Sequence, residues 1–270
     1  PTPTPLFIGS SIDSADFDGD GTSDYAIYRR SSGLWAIRGI TRLYFGADGD
    51  TPVAADFDGD DTSDIGIFRP ATGLWAIRGI SRTYFGGGAD IPLPGDYDGD
   101  SYSDIAVFRS SSGLWAMKGI SRIYYGTSSD RPAPFYGGAD EKFIAIFRAS
   151  TGLWAIRGST RIYFGTAGDI PVPSDYQGAG PGRFYYNPVQ VAVFRGGSGL
   201  WAIRNTTRVY YGSAGDFPVP GNYRGRLESD IAVFRPGTGM WGVRGMTNVY
   251  FGQNGDLPVS GLAINPSGSF

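Results

Sequence analysis

Three stretches of the chain concentrate carboxylates at one fixed spacing: DFDGDGTSD from Asp16 to Asp24, DFDGDDTSD from Asp56 to Asp64, and DYDGDSYSD from Asp96 to Asp104. Positions one, three, five and nine are Asp16, Asp18, Asp20 and Asp24 in the first loop, Asp56, Asp58, Asp60 and Asp64 in the second, and Asp96, Asp98, Asp100 and Asp104 in the third. Carboxylates held this close repel one another unless a cation neutralises them, and an all-oxygen donor set selects a hard ion. The backbone carbonyl of position seven (Thr22, Thr62 or Tyr102) is expected to add a further oxygen ligand, while Gly19, Gly59 and Gly99 let the loop curl. Calcium is the expected occupant, with magnesium second because it demands a smaller, more regular and more hydrated site. An EF-hand needs a bidentate Glu at position twelve, where this chain has Ile27, Ile67 and Val107, so these are not EF-hands. The competing reading, a solvated Asp-Gly turn, accounts for a single copy better than for three at identical spacing.

The elements that must position these loops repeat. Trp35, Trp75, Trp115, Trp154, Trp201 and Trp241 recur about every 40 residues with matching neighbours. Each unit contains a GLWAIRG-like segment, then an Arg-containing segment ending in YFG or YYG, then an x-Pro turn. In the second unit the pattern predicts four strands, around Val53–Phe57 and over Asp64–Arg69, Leu74–Arg78 and Arg82–Gly86. A four-strand meander cannot bury its faces alone, so the copies must stack, and units of this kind pack radially as propeller blades. The fold expected is all-β: a six-bladed β-propeller of four antiparallel strands per blade, forming one domain over residues 6–270 behind a Pro/Thr linker at 1–5. A β-helix or linear array fits less well, its repeats being shorter. Leu6 to Gly9 resembles the close of a unit and Leu257 to Ile264 the start of another. One terminal piece seals the ring, or the two form an incomplete seventh blade, or the surplus strand adds to a neighbouring molecule.

The DxDGDxxxD loop before an apolar strand, with YFG and x-Pro nearby, resembles the FG-GAP or VCBS repeat of integrin α-subunit propellers and many bacterial surface proteins. The resemblance spans nearly the whole chain. It implies that each loop joins the first and second strands of a blade and binds calcium. Units four to six depart from the pattern. The fourth has Phe135, Gly137, Ala139 and Phe143 at the ligand positions; the fifth keeps Asp175 but has Gln177 and Ala179, then an insertion. In the sixth, Arg224 and Arg226 replace the third and fifth ligands while Asp230 remains, and an internal salt bridge is expected in place of the ion. Three calcium ions per chain are therefore expected, not six.

Composition narrows the function. Net charge is -3, and the cations are almost all Arg, spread evenly without a cluster that would follow a phosphate backbone, which argues against nucleic acid. The chain has no Cys and no His, which removes thiol chemistry, zinc-thiolate sites and the commonest general base. A hydrolase would then depend on carboxylate pairs, and the clustered Asp are already assigned to cation loops, so catalysis is not expected. No apolar run reaches the roughly 20 residues of a membrane helix. The PTPTP start without Met reads as a stiff linker of a processed or excised module. Exposed loops of this sort have dissociation constants on the order of 10⁻⁴ to 10⁻³ M, which points to an extracellular or cell-surface address.

Other repeated residues carry two readings each. An Arg after the second strand (Arg29, Arg69, Arg109, Arg148, Arg195, Arg235) and an Asp before the x-Pro turn (Asp50, Asp90, Asp130, Asp169, Asp216, Asp256) match one to one. They are expected to pair between blades; the alternative is a ring of polar ligand sites. The six Trp are packing residues or sugar-stacking platforms. The insertion from Gly178 to Pro188, with Phe184, Tyr185 and Tyr186 beside Arg183, is a candidate partner contact, and Asn205 heads a weak glycosylation sequon. The functional expectation is a non-catalytic adhesion, structural or surface-assembly module that meets a protein or glycan, or self-assembles through its terminal strands. The alternative is a lectin-type propeller.

Overall fold

The Trp-Ala dipeptide at the centre of five repeats, Trp241-Gly242 in the sixth, sets the packing, because in a strand the two positions face opposite ways and give each blade one bulky and one small surface. A computed structural model describes residues 15–136, 142–178, 189–226 and 228–260. These form six four-stranded antiparallel sheets arranged as a six-bladed β-propeller, with no helix among the described residues.

The second blade is representative: Thr51–Ala55, Asp64–Arg69, Leu74–Ile77 and Ser81–Tyr84, paired in that order. The second and third strands are the more buried ones, whereas the fourth is exposed at all but the half-buried Thr83, as an outer edge is. In the first blade Tyr28, Trp35 and Ile37 pack on Ile67 and Ala76 of the second; on the opposite face Ile27 and Ala36 receive Phe234 and Trp241 of the sixth. Bulk therefore meets hollow at each boundary, and all six Trp are at most 1% exposed.

The ring closes through the C-terminal strand. Asp256–Val259 pairs antiparallel with Ala26–Arg29 and supplies the first strand of the first blade. No seventh sheet of blade size forms among the described residues, and this strand is engaged within its own chain. Leu6 to Gly9, the 1–5 linker and residues beyond Ser260 lie outside the described residues.

One glycine pair is obligatory in each blade. Gly33 has φ of +67°, and a Cβ there would lie 2.4 Å from the Gly46 carbonyl oxygen. That approach lets Gly33 accept from the Phe45 N–H at 2.8 Å while the Trp35 indole donates to the Phe45 carbonyl at 3.1 Å. The GLW and YFG motifs are thus two halves of one contact.

Candidate metal centres

The second and third acidic loops join the first and second strands of their blades, whereas the first only leads into the second strand of the first blade, whose first strand is the C-terminal Asp256–Val259. The shape of each loop is set by its position-one carboxylate. Asp16 accepts from the Gly19 N–H at 2.8 Å on one oxygen and from the Gly21 N–H at 2.9 Å on the other. Asp56 does the same for Gly59 and Asp61, and Asp96 for Gly99 and Ser101. This curl places position four at positive φ, which glycine supplies, and also position six, where Gly21 is followed in the next loops by Asp61 at +64° and Ser101 at +71°.

Position nine closes the loop. Asp24, Asp64 and Asp104 each accept one backbone N–H, from Phe17, Phe57 and Tyr97, at 2.8 Å through Oδ2. As a result, positions one, three and nine (Asp16, Asp18, Asp24; Asp56, Asp58, Asp64; Asp96, Asp98, Asp104) bring one carboxylate oxygen each within 4.8 Å of one another. Two ligands facing each other across an ion bonded at about 2.4 Å stand about 4.8 Å apart, so the set fits a calcium-sized sphere. Partial burial, with the neighbouring carboxylates adding to it, pushes Asp24, Asp64 and Asp104 up to about 6.

Position five does not join these groups. Asp20 Oδ1 accepts from both the N–H and the hydroxyl of Thr22, Asp60 does so from Thr62, and Asp100 accepts the Tyr102 N–H at 2.9 Å. Twelve aspartates were legible as ligands; nine of them converge in this arrangement.

The loops also touch one another. The position-eight N–H donates to the position-one carbonyl of the preceding blade, as in Ser63 to Asp16 at 2.6 Å and Ser103 to Asp56 at 2.7 Å. Thr62 packs over Gly19 and Tyr102 over Gly59. The sequence pattern holds no signal for this nose-to-tail arrangement, because it depends on the ring closing.

The remaining units hold other devices at this place. In the fourth, Phe135–Tyr136 and Lys142–Phe143 form a two-stranded sheet, and Lys142 Nζ donates to the Pro94 carbonyl at 3.0 Å; Gly137 and Ala139 lie outside the described residues. In the fifth, Gln190 takes the position-nine role by accepting the Tyr176 N–H at 2.6 Å. The insertion residues Arg183, Phe184, Tyr185 and Tyr186 lie outside the described residues. In the sixth, Arg224 Nε stands 3.1 Å from Asp230 Oδ1, the expected ion pair. Burial nevertheless holds the Asp230 carboxyl above its usual range, with Arg224 offsetting part of the effect.

The Arg-Asp pairs form, but within blades and not between them. Arg69 donates through Nε to Asp50 Oδ1 at 2.7 Å and through Nη2 to Asp50 Oδ2 at 2.8 Å, across the first and second strands of one sheet. The six forks share this geometry. The correction follows from register: the first strand begins at the Asp or right after it and lies antiparallel to the strand that ends in Arg, so Asp256 faces Arg29 directly. The interblade link enters through the other side of the carboxylate, where Asp50 Oδ2 accepts the Ala47 N–H at 2.8 Å. Burial of the Trp rings likewise removes them as sugar platforms.

The most exposed aromatics among the described residues are instead Tyr44, Tyr84, Tyr124, Tyr163, Tyr210 and Tyr250, one on each outer strand and between 69% and 75% exposed. The R-x-Y-F or R-x-Y-Y alternation of the fourth strand, with Asn248 replacing the Arg in the sixth blade, marks them as outward-facing in the sequence itself. No protein-family profile matches the chain, and no curated protein or solved structure matches it significantly.

Proposed function

We propose that this chain is a non-catalytic, calcium-binding extracellular propeller that serves as an adhesion, structural or surface-assembly module. The observation that carries the reading is the convergence of three carboxylate oxygens within 4.8 Å at the same loop positions in three successive blades. Thr22, Thr62 and Tyr102 are assigned a backbone carbonyl ligand each, and Asp20, Asp60 and Asp100 reach the ion directly or through water once their local hydrogen bonds reorganise. Calcium supplies charge neutralisation here, holding together carboxylates that repel at neutral pH.

The ions act on stability. With free calcium about twenty-fold above the dissociation constant, each site adds ~1.8 kcal/mol, or ~5 kcal/mol for three independent sites. Such sites fill at millimolar calcium and stay largely empty at cytosolic levels, which supports the extracellular assignment. The absence of His and Cys from the sequence supports a binding role over a catalytic one.

The test is thermal melting of the chain in calcium, magnesium and chelator, together with calorimetric titration. Calcium should raise the melting temperature more than magnesium, and Asp58→Asn should remove one binding event while leaving the other two. Equal melting curves in all three conditions would overturn the assignment.

A further inference from the structure

The charge of this molecule is sorted by radius. Six of its arginines are committed to the forks. Eleven more cations sit at two recurring positions of the outer edge. One set directly follows the third strand: Arg38, Arg78, Lys118, Arg157, Arg204 and Arg244. The other lies on the fourth: Arg42, Arg82, Arg122, Arg161 and Arg208, with Asn248 in the sixth blade. All eleven are exposed, and among the described residues none of them makes a salt bridge. The segments 38–44, 78–84, 118–124, 157–163, 204–210 and 244–250 contain no Asp or Glu. Most of the carboxylates outside the forks belong instead to the strand-one to strand-two loops. A chain of net charge -3 thus carries an unneutralised basic rim.

The exposed tyrosines stand among these cations. Arg42 and Tyr44 are two residues apart on an edge strand and share a face. Arg42 is in register with Ala36, and Tyr44 with Leu34, which is in turn opposite Arg29. The Tyr44 phenol lies within electrostatic reach of the Arg29 guanidinium, and the same holds for Tyr84 with Arg69 and Tyr124 with Arg109. Five blades therefore present one aromatic face beside a fourth-strand guanidinium group, the sixth having Asn248 at that position. Edge protection alone calls for charge of either sign and gains nothing from an aromatic ring left in water.

We infer that the propeller rim is a binding surface for an anionic polysaccharide, with sugar rings lying on the tyrosine faces and carboxylate or sulfate groups meeting the guanidinium groups of the outer strands. A polymer suits the surface because the same station recurs around the ring, so that weak contacts add through multivalency. Guanidinium presents a planar fork to carboxylate or sulfate, and tyrosine offers a large amphipathic face at low conformational cost. A nucleic-acid strand fits less well: its phosphates call for an unbroken basic track, and here the cations come in clusters divided by blade boundaries. This surface is separate from the calcium loops and does not rest on their occupancy.

The experiment measures binding of the calcium-saturated full chain to immobilised hyaluronan, dextran sulfate, neutral dextran and poly(dT). The two variants are Arg42→Gln/Arg82→Gln/Arg122→Gln and Tyr44→Thr/Tyr84→Thr/Tyr124→Thr, the threonines keeping strand propensity. Unchanged melting temperatures establish that both variants fold. Hyaluronan or dextran sulfate should bind in preference to dextran and poly(dT), weaken with added salt, and lose at least about tenfold in affinity in each variant. Absence of binding to both anionic polysaccharides overturns the inference. So does tighter binding to poly(dT), or binding of dextran sulfate that the tyrosine substitutions leave unchanged, since that is ion exchange without sugar contact.

Discussion

Removing either partner of one Arg-Asp fork should cost unequal amounts, and the structure says which costs more. Asp50 is fully buried, with 0% of its side chain exposed, while 36% of the Arg69 side chain reaches solvent. In Arg69→Gln, two charge-assisted bonds at 2.7 and 2.8 Å disappear and a buried carboxylate is left without its counterion, for which about 3–5 kcal/mol is the expected loss. In Asp50→Asn, the amide oxygen can still serve Arg69 Nη2 and the Ala47 N–H, and only the bond to Nε is replaced by a donor facing a donor. The guanidinium left behind rehydrates, so the loss is about 2 kcal/mol. Urea unfolding at saturating calcium, with the m-value checked for constancy, measures both. Asp90 and Arg109 in the next blade repeat the geometry and provide a replicate within the same molecule. A larger loss for Asp50→Asn than for Arg69→Gln would refute the argument that desolvation of the carboxylate governs these pairs.

Stability should depend on pH in opposite senses with and without calcium. Asp24, Asp64 and Asp104 are raised to about 6 by burial and by neighbouring carboxylates, so without metal their contribution is full below the ordinary Asp value and is lost as pH rises through about 6. Calcium requires the ionised forms, so its affinity per site should fall about tenfold between pH 7 and pH 5, and melting curves in chelator and in calcium should converge as pH drops. Asp130 runs the other way: burial alone would raise it, but the Arg148 hydrogen bonds and the Thr127 N–H hold it below the ordinary range, so its contribution is present at neutral pH and lost in acid. Trp115→Phe should cost about 2–4 kcal/mol in urea unfolding, from the void left where a phenyl ring replaces the larger indole and from the Tyr125 carbonyl that loses its 3.0 Å donor. Ending the chain at Gly255 removes the strand opposite Ala26–Arg29 and should lower the melting temperature by more than 10 °C, about the effect of several kcal/mol, whereas an unchanged value would contradict closure by that strand.

The blade was readable because its signals are local. Alternation in Asp64–Arg69, the repeated Trp, and glycines where a Cβ cannot fit all act within one meander, and the second strand of the second unit matches its expected bounds residue for residue. The first strand was placed two residues late, since Thr51 and Pro52 enter the ladder despite the proline. What depends on the closed ring was not readable. The choice of terminus for closure is one case, as both ends resembled part of a unit. The forks are another: one-to-one numbers of Arg and Asp reveal a pairing, but register decides that Asp256 meets Arg29 inside the sheet. In the loops, spacing marked Asp20 as equal to Asp18, yet Thr22 draws Asp20 aside with two hydrogen bonds, and position seven thereby decides the geometry of position five. The Trp were singled out for their size, and their burial shifts attention to tyrosines that the same alternation turns outward.

Metal content of the purified chain after equilibration with millimolar calcium tests the central claim most directly. Mass spectrometry of the intact protein under native conditions should find three calcium ions per chain, reduced to two by Asp58→Asn. A chain that carries no calcium under these conditions would contradict the account, and so would one that retains three after that substitution.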